Sequence, residues 1–111
     1  MEGQEETLQP KTLIKIGDTL LDLRQRSVTV NGNHVNLTRR EFDMLCLMAK
    51  HPGWAYTKEQ LLEAAWGNTA DSNHHAVETM IYWLRRKLRS SANVKIQTLV
   101  GYGYRLNIEQ D

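Results

Sequence analysis

The chain has 111 residues, 41% of them hydrophobic and 24% charged, and a formal net charge of +1. That is ordinary for one soluble globular domain with one modest core. No apolar run approaches the ~18 residues that span a membrane, and the polar, acidic start carries no signal-peptide pattern. The single cysteine, Cys46, supports neither a disulfide framework nor a cysteine zinc site, so a cytoplasmic setting is expected.

In chain order, residues 1–11 read as a linker or tail of Glu, Gln, Thr and Pro with little to bury. Residues 12–108 are expected to form the domain, and 109–111 a short tail. Short apolar stretches follow the linker: Leu13 to Ile16, Thr19 to Leu23, Ser27 to Val30 and His34 to Asn36. Turn signals at Gly17-Asp18 and Asn31-Gly32-Asn33 separate them, and Asn-Gly favours a tight hairpin. These predict an antiparallel sheet of three or four strands.

Thr38 and Glu41 form a capping box, and Phe42, Leu45, Cys46, Met48 and Ala49 recur at helical spacing up to about Lys50. Cys46 then lies on the buried side as an inert core thiol. A second box, Thr57 with Gln60, opens a shorter helix carrying Leu61, Leu62, Ala65 and Trp66, which Gly67 ends. Residues 67–73 read as a polar loop. A third helix is predicted over about His74 to Arg89, with Val77, Ile81, Leu84 and Leu88 as its buried stripe. Two β runs, Val94 to Leu99 and Gly103 to Ile108, close the chain around Val100-Gly101-Tyr102, with a positive φ expected at the first glycine. The fold class is therefore α+β: an N-terminal antiparallel sheet, three helices and a C-terminal β hairpin, which is a winged helix-turn-helix.

The charge is unevenly spread. Residues 74–105 hold six basic side chains (Arg85, Arg86, Lys87, Arg89, Lys95 and Arg105) against one acidic, Glu78. A basic segment of this kind fits a phosphate backbone, although a solvated basic helix would have the same composition. Opposite the apolar stripe of the third helix lie His75, Thr79, Tyr82 and Arg86, flanked by Ala76, Trp83 and Arg89. Glu78 and Arg85 fall nearer the edge of the core. A major groove ~12 Å wide admits one such helix. Arg can grip guanine bidentately, and Ala, a Thr methyl or aromatic carbons can touch a thymine methyl. Trp83 either packs against the hairpin or preceding loop or reaches DNA; Tyr82, further from the core, points to a DNA or partner contact.

Leu37-Thr38-Arg39-Arg40-Glu41-Phe42-Asp43-Met44-Leu45, Lys58-Glu59-Gln60-Leu61-Leu62 with Trp66-Gly67, Ala76-Val77-Glu78 leading into Leu84-Arg85-Arg86-Lys87-Leu88, and Gln97 to Leu106 stand in one order. Together they resemble the OmpR/PhoB-type effector domain of bacterial two-component response regulators. The resemblance implies binding of promoter double-stranded DNA, commonly on tandem half-sites, with the third helix in the major groove. It implies a loop 67–73 facing RNA polymerase and a phosphorylatable receiver domain preceding this one. By position it marks Lys58, Trp66, His75, Arg85, Thr98 and Tyr104 for phosphate contacts. Ala76, Thr79, Trp83 and Arg86 fall where base contacts are expected, and Val100 and Tyr102 form the wing tip. Two departures stand out. Tyr82 and Trp83 occupy positions where many members carry Arg, and Val100 stands in place of a common wing Arg.

Catalysis and cofactors are not expected. Adjacent His74 and His75 do not share a helix face, and no residue set completes a metal site. Gly101-x-Gly103 precedes no helix, so it is not a nucleotide fingerprint. Ser90-Ser91 has no activating partner in the sequence. The alternative to DNA binding is a winged-helix module whose third helix docks a protein through Tyr82 and Trp83.

Overall fold

A computed structural model describes residues 12–67 and 73–109. The expected linker, most of the loop 67–73 and the last two residues lie outside the described residues. The chain opens with four strands: β1 (Leu13–Ile16), β2 (Thr19–Asp22), β3 (Ser27–Val30) and β4 (Asn33–Val35). They pair as an antiparallel meander in chain order. Asn31 and Gly32 both take positive φ, 52° and 84°, the backbone that a two-residue turn matched to strand twist requires. Ile16, Leu21, Val28 and Val30 are buried on the face that packs inward, with Leu21 paired to Val28.

Helix α1 (Arg39–Lys50) starts at the expected box: Thr38 accepts from the Glu41 amide, and the Glu41 carboxylate accepts from the Thr38 amide. It buries Glu41, Phe42, Met44, Leu45, Met48 and Ala49. The apolar stripe therefore turns slightly from the one read in the sequence. Met44 is fully buried, whereas Cys46 is only half-buried. Burial still pushes the Cys46 thiol above its ordinary pKa, which keeps it in the unreactive protonated form. The second box also forms, Thr57 with Gln60, and α2 (Lys58–Trp66) ends at Gly67 with φ 70°. Only Leu61 of α2 is fully buried.

Helix α3 (His74–Lys87) is capped by the Asn73 side chain, which accepts from the Ala76 amide. Val77, Ile81 and Leu84 are buried along it, and Leu88 continues the stripe just beyond. The helix stops two residues before the expected Arg89. Leu88 leaves the helical backbone, and its carbonyl accepts from the Ser91 amide in a closing turn. The turn is then fastened to the N-terminal sheet. Asp18 accepts from the Ser91 hydroxyl at 2.6 Å and from the Ala92 amide at 2.8 Å. Ser91 Oγ accepts in turn from the Val94 amide at 2.9 Å, so this clasp aims the chain into the last strands.

Strands β6 (Val94–Leu99) and β7 (Gly103–Ile108) form the expected hairpin, and Gly101 takes φ 77°. One further strand lies outside the elements expected from the sequence. β5 (Tyr56–Thr57), directly before α2, pairs with β7, so the hairpin belongs to a three-stranded sheet of order β5-β7-β6. Gly103 permits the approach, because a Cβ there would lie 1.9 Å from the Tyr56 carbonyl oxygen. A two-residue strand has no periodicity to read, and the glycine is its only local trace. One core joins both sheets to the helices, from Ile16 and Leu21 through Leu45, Leu61 and Ile81 to Leu106.

Candidate nucleic-acid interface

The side of α3 opposite the core is open to solvent. His75, Thr79, Tyr82, Trp83 and Arg86 are exposed and Ala76 is half-exposed. The row follows from the helix period. With the buried stripe at positions 77, 81, 84 and 88, residues 75, 79, 82 and 86 lie on the far side. Trp83 is 45% exposed and meets the Tyr82 ring edge-on, 5.2 Å between centroids at 83°. The Arg86 guanidinium lies 5.8 Å from the Tyr82 ring centroid.

Arg85, expected at the edge of the core, reaches sideways to the hairpin. Its Nε and Nη2 donate to the Ile96 carbonyl at 3.1 and 2.8 Å, and Nη2 also donates to Thr98 Oγ1 at 2.8 Å. Thr98 faces Tyr104 across β6 and β7, and Arg85 lies 5.8 Å from the Tyr104 ring centroid. Three residues marked for phosphate are thus gathered in one cluster. Within it the Tyr104 side chain is mostly buried, with the residue 6% exposed. Because Thr98 Oγ1 accepts from Arg85, its own hydroxyl proton remains to be donated outward.

Lys58, at the start of α2, is joined to α3 through Glu78. Nζ lies 2.9 Å from Glu78 Oε2, while Glu78 Oε1 is 3.7 Å from His75 Nδ1. The hydrogen bond to Glu78 raises the Lys58 pKa, and the same bond lowers that of Glu78. Nearby, His74 Nε2 lies 2.9 Å from Glu59 Oε2. Lys58, Glu59 and His74 line a shallow cleft with Gly101 and Tyr102, which brings the hairpin tip beside the starts of α2 and α3. At that tip Val100 is 95% and Tyr102 52% exposed. Trp66 is half-buried at the end of α2, its ring 4.9 Å from the Arg40 guanidinium.

The basic segment is less free than its composition suggests. Lys87 is bound to Glu41 at 2.7 Å and Arg85 to the hairpin, which leaves Arg86, Arg89 and Lys95 as its exposed cations outside such links. The partners Glu41, Glu78 and Ile96 are not evident from the sequence. The capping box explains Glu41 locally and hides its second role. No cluster of three or more potential metal ligands occurs among the described residues, and no helix among them is long and apolar enough to cross a membrane.

The family model described as transcriptional regulatory protein, C terminal, matches residues 32–106. The chain belongs to this family, the OmpR/PhoB-type winged helices. Within the family it is 38% identical over 96 residues to the cell cycle transcriptional regulator CtrA of Caulobacter vibrioides, covering 85% of this chain and 42% of CtrA. The DNA-binding domain of Klebsiella pneumoniae RstA, solved in complex with the RstA box, superposes with a TM-score of 0.74 at 31% identity. That match covers 86% of this chain and 96% of RstA's. The DNA-binding domain of Bacillus subtilis CssR gives 0.66 at 37% identity, over 75% and 92% of the two chains. The chain spans less than half the length of the curated relatives it matches. As a family member it is a regulatory domain and not an enzyme.

Proposed function

We propose that this winged helix binds promoter double-stranded DNA sequence-specifically and thereby regulates transcription as the output domain of a two-component response regulator. The observation that carries the reading is the solvent-facing row His75, Thr79, Tyr82, Trp83 and Arg86 on a helix locked to the hairpin by Arg85. Helix α3 lies in the major groove, with Arg86 and Thr79 at base edges and Ala76 and Trp83 beside them. Lys58, Trp66, His75, Arg85, Thr98 and Tyr104 serve the phosphates, which fix register but carry no sequence information. The tip, Val100 to Tyr102, rests on the sugar-phosphate edge by van der Waals contact, since it has no cation for a narrow minor groove.

Binding is to tandem half-sites in the cytoplasm. The loop 67–73 meets RNA polymerase, and a phosphorylated receiver domain controls occupancy. The resemblance to RstA, a domain solved on its own DNA box, supports the DNA contact. Titration onto random and selected duplexes at two salt concentrations, read by fluorescence anisotropy, tests the reading. Enrichment of a tandem duplex with affinity falling steeply as salt rises is expected, because neutralised phosphates release counterions. Absence of binding to every duplex at low salt refutes it.

A further inference from the structure

The surface of α3 that faces solvent carries two large aromatic rings, and helix geometry alone does not require them there. Tyr82 and Trp83 are 53% and 45% exposed. They are adjacent in sequence, and the helix has already committed Val77, Ile81 and Leu84 to the core. The two rings hold each other edge-on at 83°, and Arg86 lies 5.8 Å from the face of Tyr82. They therefore form one preorganised unit: an apolar, aromatic shelf with a guanidinium at one end. Keeping such a surface in water is unfavourable unless a partner covers it.

The chemistry of the major groove narrows what that partner is. Each base edge there presents donors and acceptors, except that thymine also presents a C5 methyl group. The Tyr82 hydroxyl and the Trp83 indole N–H are confined to the ring margins, and the carbon faces that make up most of the shelf gain burial from a methyl. Arg86 supplies the complementary preference, because its fork matches guanine O6 and N7. Along a helix rising 1.5 Å per residue, positions 82 and 86 are about 6 Å apart, close to two base-pair steps. We infer that Tyr82 and Trp83 are specificity-determining residues that read the C5 methyl of thymine, within about two base pairs of a guanine held by Arg86. The domain thus distinguishes 5-methylpyrimidines from pyrimidines lacking the methyl. This rests on the DNA-binding reading above and adds to it the chemical class that the aromatic pair selects.

The test removes only the methyl. In a selected half-site each thymine is replaced in turn by uracil, and affinity is read by anisotropy at fixed salt. About a four-fold loss is expected at one or two positions near the guanine that Arg86→Ala ceases to prefer, the size expected for one buried methyl. 5-Bromouracil at the same positions restores binding, because bromine fills the volume of the methyl. In a Tyr82→Ala, Trp83→Ala domain, thymine and uracil duplexes bind equally, the salt slope is unchanged, and the fold is retained by circular dichroism because the buried stripe of α3 is untouched. Tight, specific binding in which no uracil substitution has any effect overturns the inference while leaving the DNA reading intact. Failure to bind any duplex at low salt overturns both and turns attention to a protein partner for the two rings.

Discussion

Glu41, in the first turn of α1, and Lys87, at the end of α3, are joined at 2.7 Å through a carboxylate whose side chain is only 7% exposed. The same oxygen, Oε1, accepts from the Thr38 amide at 2.8 Å. One atom thus closes a helix cap and ties two helices 46 residues apart in sequence. Glu41→Ala removes both bonds and is expected to lower stability by about 2–3 kcal/mol in urea denaturation. Lys87→Ala leaves the cap intact and costs less, about 1–2 kcal/mol, because Lys87 is partly exposed and the pair is screened. Equal losses in the two variants would contradict the shared role of the oxygen.

Asp18 gives a pH signature. Burial acts to raise its carboxyl, but hydrogen bonds from Ser91, the Ala92 amide and Thr19 prevail and hold its pKa below the ordinary 3.8. A carboxyl depressed in the folded state contributes stability that is present above the unfolded value. That stability is lost as pH falls through the lower folded value. The domain should therefore lose stability below about pH 4, and Asp18→Asn should flatten this limb while lowering stability at neutral pH. Melting temperatures from pH 7 to pH 2 decide it; an unchanged acid limb in the variant counts against the network.

Gly103→Ala places a methyl where the Tyr56 carbonyl already stands. Neither partner is the far end of a flexible side chain, so β5 must separate from β7. A loss of about 3 kcal/mol or more is expected, read by chemical denaturation. Gly101→Ala, at a turn open to solvent with φ 77°, should cost only the backbone strain of about 1 kcal/mol.

Arg85 offers a discriminating substitution. Lys keeps the charge but cannot bridge Ile96 and Thr98 with a planar fork. Arg85→Lys should weaken binding to selected and random duplexes alike and should also lower the melting temperature. If Lys restores full affinity, Arg85 acts only as a point charge toward phosphate.

Lys58 and Glu78 form a paired prediction. Lys58→Ala should weaken all duplex binding about equally and reduce the salt slope by about one. Glu78→Gln releases the ammonium and removes an anion from the face turned to phosphate, so random-sequence binding should tighten. Arg86→Ala, in contrast, should cost about 1–3 kcal/mol on the selected site and relax base preference. Like behaviour of the Lys58 and Arg86 variants would refute the division of roles.

Much of this fold is legible locally. Asn31-Gly32 demands a tight turn, Thr38 with Glu41 and Thr57 with Gln60 mark helix starts, and the spacing of Val77, Ile81 and Leu84 assigns the faces of α3. The open row on α3 follows from the same spacing. What escapes is whatever depends on partners far along the chain. Asp18 and Ser91 are 73 residues apart, and nothing near either one announces the other. The early end of α3 follows from that clasp, so its boundary is read two residues too long. Arg85 looks like one more surface cation until β6 is folded beside it, because a carbonyl acceptor such as that of Ile96 leaves no mark in sequence. β5 is too short to show alternation, and it is visible only through the space that Gly103 leaves.

The third strand has a consequence for how such domains diversify. β7 is held on one side by β6 and on the other by β5, which runs straight into α2. The hairpin stem is therefore part of the body of the molecule, and only residues 100–102 lie beyond its strand pairing. Val100 is almost wholly surrounded by solvent, whereas Gly101 holds a φ of 77° that a side chain would strain. Substitution at Val100 carries little penalty to folding, so the descent of new binding preferences can proceed there while the stem is inherited unchanged.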